Sequence, residues 1–123
     1  MKTNPVGWFE IYVEDLDRAS KFYESVLGVK LEAFDNAEVK MRVFPRDEKA
    51  PGAGGALVYM QGFGSGGNSV LVYFMSENCA TEEARAVKNG GRVQKSKMSI
   101  GEHGFISLLI DTEGNMFGVH SMK

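Results

Sequence analysis

The chain has 123 residues, 43% hydrophobic and 24% charged, with a net charge of −2 and an isoelectric point near 5.7. This predicts one compact domain with a real core, and the lack of a dense Lys/Arg cluster argues against a nucleic-acid partner. No apolar run approaches the roughly 18 residues of a membrane span, and the opening MKTNPVGW lacks the apolar stretch of a leader, so the expected setting is cytoplasmic.

A single cysteine, Cys79, excludes an internal disulfide and a cysteine zinc cluster. Seven Met, eight Phe, four Tyr and one Trp in so short a chain point to an apolar pocket, with ordinary core filling as the alternative.

Residues 8–13 alternate Phe9, Ile11 and Val13 with Trp8, Glu10 and Tyr12, the period of a strand with two different faces. Asp15 then caps a helix whose apolar stripe is Leu16, Ala19, Tyr23, Val26 and Leu27, and Gly28 stops it. Strands are predicted over 29–34, 37–44 and 56–60, with a charged Pro/Gly-rich loop at 45–55. The four glycines of 61–68, QGFGSGGN, mark a flexible linker; the Lys-Ser/Thr of a phosphate loop is missing.

The second half repeats the first. A strand over 69–75 leads to a helix capped by Asn78 and ended by Gly90-Gly91, then to strands over 92–98, 103–111 and 116–121. Asp15 and Gly28 recur as Asn78 and Gly91, each 63 positions on, and the same shift carries Phe9 to Val72 and Ile11 to Phe74. Two βαβββ units, 7–60 and 69–121, are thus expected to pair within one 1–123 domain and to enclose a small-molecule cleft.

The segment DLDRASKFYESVLG at 15–28 and the segment GEHGFISLLIDTEGNMFGVHS at 101–121 resemble the glyoxalase/bleomycin-resistance/extradiol-dioxygenase superfamily, the vicinal oxygen chelate fold. With GWFEI, VYF and NGGRV, the chain is similar to a bacterial subgroup of predicted relatives of lactoylglutathione lyase. The resemblance implies an α+β fold of tandem pseudo-symmetric βαβββ units, a curved mixed sheet around a cleft, and a homodimer. It also implies metal ligands on four strands. The corresponding positions here are Trp8, Leu71, Gly118 and a fourth strand ending at Met60, none with a hard donor for Fe, Mn, Ni or Zn. No metal or other cofactor is expected, and glyoxalase I and dioxygenase activity are disfavoured.

With Trp8 facing the cleft, period two adds Glu10 and Tyr12, the repeat adds Leu71 and Tyr73, and the last strand adds Met116, Gly118 and His120. Arg42, Met60 and His103, the last at the cleft mouth, complete the candidate ligand-binding set. Glu10, in an apolar-edged cleft that would raise its pKa, is the candidate general acid or base, with His120 as its partner. The leading expectation is a metal-independent protein that binds a planar or aromatic ligand between Trp8 and Tyr73. The alternatives are a lyase or isomerase using Glu10, and a non-catalytic module with a vestigial pocket.

Overall fold

The computed structural model describes residues 4–35 and 39–123. The first half runs β1 (Trp8–Tyr12), α1 (Leu16–Leu27), β2 (Glu32–Asp35), β3 (Lys40–Val43) and β4 (Gly54–Tyr59). The second runs β5 (Tyr73–Met75), α2 (Cys79–Lys88), β6 (Arg92–Ser99), β7 (Phe105–Ile110) and β8 (Met116–Ser121). They form two four-stranded sheets ordered β1-β4-β3-β2 and β5-β8-β7-β6. In each sheet the first strand pairs parallel with the fourth and the other pairs are antiparallel. The α+β architecture and the two-fold βαβββ repetition are as the sequence predicts.

The helix signals act through the expected atoms. Asp15 accepts the Arg18 N–H at 3.0 Å, and Gly28 sits in the left-handed region at φ 68 with its N–H on Glu24. In α2 the Asn78 side chain accepts from the Ala80 N–H at 3.1 Å, but the repeat breaks at the other end. The cap is Asn89, and Gly90 carries the positive φ of 94. Gly91 is needed for space: a Cβ there would lie 2.6 Å from the Ile110 carbonyl and 2.7 Å from the Phe22 ring. Gly28 and Gly91 match in spacing and differ in physical reason.

Phe9, Phe22, Tyr23, Phe44, Phe74 and Phe117 interlock between the halves with ring centroids 5.1–6.0 Å apart. Rings from β1, α1 and the end of β3 meet rings from β5 and β8, so each half completes the other's core. Register then fixes the faces. Ile11, Leu57 and Arg42 share a row toward α1, while Glu10, Ala56, Val43 and Glu32 share one on the opposite, outer face.

Four predicted strands differ. Those over 29–34 and 37–44 shrink to β2 and β3, and 36–38 lie outside the described residues. The strand over 69–75 begins only at Tyr73, because the Asn68 amide grips the Val70 and Met116 carbonyls and bends the approach. The strand starting at His103 begins instead at Phe105. His103 ends a 3₁₀ turn between Gly101 and Gly104, whose φ values of 84 and 100 break the extended path.

Candidate functional site

The predicted site residues separate into two places. Glu10, Tyr12 and Met116 line an open crevice of ≈300 Å³ between β1, the start of β8 and the glycine-rich segment. Tyr73 and His120 line a second hollow of ≈450 Å³ on the outer face of the other sheet, with Met75, Ile100 and Ile106. Trp8 and Tyr73 lie on different sheets, 41% and 44% exposed, and do not share a pocket. The expected sandwich of a ligand between them is therefore not built within one chain.

In the crevice, alternation along β1 brings three side chains to one face. The Trp8 indole N–H donates to Glu10 Oε2 at 3.2 Å, and the Tyr12 hydroxyl donates to Glu10 Oε1 at 2.9 Å. The bond to Glu10 is the main reason the Tyr12 phenol is pushed up from its ordinary pKa, burial and the carboxylate's charge adding to it. Both Glu10 oxygens are thus oriented by neighbours on their own strand.

His120 does not join Glu10. Its Nε2 lies 2.6 Å from the His103 carbonyl oxygen on the other sheet, so the predicted acid–base pair is not assembled. His103 itself is exposed in the 3₁₀ turn beside Glu102. Arg42 points the other way: its Nη2 donates to Asp17 on α1 at 3.2 Å, and its Nη1 lies 3.6 Å from Asp35, which places it on the helix side of the sheet. Its parity with Leu57 explains the correction. Met60 follows β4 and Leu71 precedes β5, each half-buried.

Gly118 is crowded rather than vacant. It pairs with Tyr73, and a Cβ there would collide with the Tyr73 ring. The positions where the resembled metal enzymes carry His or Glu thus hold an indole, an alkyl chain and a glycine covered by a phenol. These residues do not fit a hard divalent cation. Among the described residues, no three His, Cys, Asp or Glu side chains are grouped to hold a metal.

Sequence reasoning missed a polar junction beneath the crevice. Asp111 Oδ2 accepts the Tyr23 hydroxyl at 2.6 Å, and its Oδ1 accepts the Glu113 and Asn115 N–H groups at 2.8 and 2.9 Å. Burial raises the Asp111 carboxyl above its usual value despite these donors, and burial beside that acid lifts the Tyr23 phenol well above 10.0. Glu113 accepts the Glu14 and Asp15 N–H groups and both Arg18 donors. Burial pushes Glu113 up, but Arg18, the Asp15 N–H and the Thr112 hydroxyl outweigh it and hold the carboxyl below its usual value. Asn115 bridges the Tyr12 carbonyl and the Gly66 N–H at 3.0 and 2.6 Å. The signal was four polar side chains, Asp111, Thr112, Glu113 and Asn115, in the five-residue turn at 111–115 between apolar strands.

No curated protein sequence matches this chain. Residues 6–41 match the family described as bleomycin resistance protein-like N-terminal. Among solved structures, the glyoxylase/bleomycin resistance protein/dioxygenase domain from Frankia sp. EAN1pec is similar with a TM-score of 0.75 at 17% identity, covering 99% of this chain and 100% of that one. A glyoxalase/bleomycin resistance protein from Albidiferax ferrireducens T118 gives 0.66 at 19%, covering 96% and 98%. A glyoxalase I variant from Zea mays gives 0.73 at 19% over 96% of this chain but 46% of its own, so this chain spans just under half of the maize enzyme. At such identities the structural likeness speaks for the fold, and the N-terminal match adds sequence to it. The fold is thus that of glyoxalase/bleomycin-resistance/dioxygenase structures, and over residues 6–41 the sequence matches the bleomycin resistance protein-like N-terminal family.

Proposed function

We propose that this protein binds a small planar or aromatic molecule in the Glu10–Tyr12–Met116 crevice without a metal at the superfamily's ligand positions. The observation that supports the reading most is Glu10: a carboxylate set by two donors at the lip of a concave, partly apolar site. A ring with an N–H or O–H donor would rest on apolar and aromatic walls and give its proton to Glu10. Binding is favoured over a lyase or isomerase reaction because, among the described residues, the titratable group that meets Glu10 in the crevice is the Tyr12 phenol, whose pKa is raised and which therefore holds its proton. His120, the residue paired with Glu10 from sequence, faces the other hollow.

The same reading takes 7–60 and 69–121 as two modules of one domain joined by 61–68, working in the cytoplasm as a homodimer. Exposed Trp8, Phe34, Tyr73, Met75 and Ile100 support a second copy over the outer sheet faces. Among the described residues, no helix is long and apolar enough to cross a membrane.

The test is a fluorescence-based ligand screen on wild type, Trp8→Ala and Glu10→Gln. Hits that need Glu10 support the crevice; hits indifferent to both variants, or turnover lost in Glu10→Gln while affinity stays, would replace this reading with another site or with catalysis.

A further inference from the structure

The glycine-rich segment is more than a connection. Its far end is fixed to the polar junction: the Ser65 N–H donates to Glu14 at 3.2 Å, the Ser65 hydroxyl to the Glu113 carbonyl at 2.8 Å, and the Gly66 N–H to Asn115 at 2.6 Å. Its near end is fixed by the end of β4. Between Met60 and Ser65, the described interactions are one turn bond, Phe63 N–H to the Met60 carbonyl at 3.0 Å, and one ring contact. Phe63 stacks on Tyr12 with centroids 5.4 Å apart and planes 25° from parallel, yet is 53% exposed. Gly62, at φ 90, and Gly64 flank it, so the ring hangs between two posts on residues that rotate at little steric cost.

Tyr12 is also the aromatic wall beside Glu10, the surface on which a planar ligand reaching that carboxylate would stack. We propose that Phe63, stacked on the crevice-lining Tyr12 from the edge of the crevice, is a displaceable cover: it holds that stacking place until a planar, hydrogen-bond-donating ring takes it, swinging out on Gly62 and Gly64. A near-parallel ring pair of this kind is weak enough to be exchanged for another. The cover shields Tyr12 in the empty protein, and it sets specificity, because only a ring that stacks as well as Phe63 while also satisfying Glu10 gains by entering. This inference rests on the crevice being the binding site.

The experiment uses proflavine, a flat cationic dye bearing N–H donors, with dye anisotropy for affinity and stopped-flow mixing for rates. Wild type, Phe63→Ala, Phe63→Leu and Glu10→Gln are compared. Proflavine is expected to bind wild type, to bind Phe63→Ala about 2- to 10-fold more tightly with faster association, and to weaken in Glu10→Gln. Phe63→Leu, which keeps bulk without a ring, should follow the alanine variant. If Phe63→Ala leaves affinity and association unchanged or lowers them while Glu10→Gln still weakens binding, the cover is wrong and the crevice stands. A leucine variant indistinguishable from wild type likewise overturns the stacking device. Binding by no variant overturns both.

Discussion

Arg18 and Glu113 stand 95 positions apart in sequence and meet through two hydrogen bonds of 2.6 and 2.9 Å. The arginine side chain is half exposed and the glutamate side chain fully enclosed. Glu113 therefore ties the β7–β8 turn to the start of α1, because it accepts the N–H groups of Glu14 and of the cap residue Asp15 just ahead of the helix.

Replacing Glu113 with alanine removes the one acceptor shared by the Glu14 and Asp15 N–H groups and the Arg18 guanidinium. The expected loss is roughly 1–3 kcal/mol of stability, read from urea unfolding at neutral pH. A variant as stable as wild type would show that water replaces the carboxylate at no cost.

The same residue shapes the acid response. Its folded pKa is depressed, so its contribution is fully present above the unfolded pKa and is lost as pH falls through the folded one. Asp111 has the opposite sign: its folded pKa is raised, so its contribution is present below the unfolded pKa and is lost as pH rises through the folded value. Melting temperature followed from pH 7 downward should thus fall less steeply in Glu113→Gln than in wild type, and equal steepness would remove Glu113 from the acid response.

Phe117 is 1% exposed and meets Phe22, Tyr23 and Phe74. Phe117→Ala is expected to cost about 3–5 kcal/mol, because rings from both halves lose their shared neighbour. Independent melting of the two halves in this variant, seen as two calorimetric transitions, would show that other contacts do not couple them.

Gly118→Ala forces the Tyr73 ring aside and should destabilise by about 1–3 kcal/mol. Because the Gly118 backbone is not among those with positive φ, the obstacle is the ring alone. Tyr73→Ala should therefore erase most of the cost in the double variant. Additive losses would instead place the strain in the backbone.

The outer apolar faces carry a test of assembly. Light scattering of wild type should give twice the chain mass, and Met75→Glu, at an exposed position on β5, should shift it toward the monomer. A wild-type monomer would end the homodimer reading.

The helices were legible because their signals are local: Asp15, Gly28 and Asn78 act through atoms within a few positions of themselves. Faces on β1 were legible too, since alternation alone separates Glu10 from Ile11. Arg42 was misplaced because parity gives two faces but not which one meets the helix; that is decided by its pairing with Leu57 and by Asp17, 25 positions away. The Glu10–His120 pairing failed for a related reason, since a repeat predicts equivalent places in two sheets and not a shared one. Phe63 left no trace in sequence, being one aromatic among glycines until Tyr12 came under it.

The Glu113 clasp also bears on how the chain comes into being. During synthesis, the first strand and helix leave the ribosome about a hundred residues before the turn that receives their backbone donors. Until that turn forms, the Glu14 and Asp15 N–H groups just ahead of α1 lack the carboxylate that receives them. Closing so large a loop makes completion slow, and it makes damage to the β7–β8 turn a lesion felt at the start of α1.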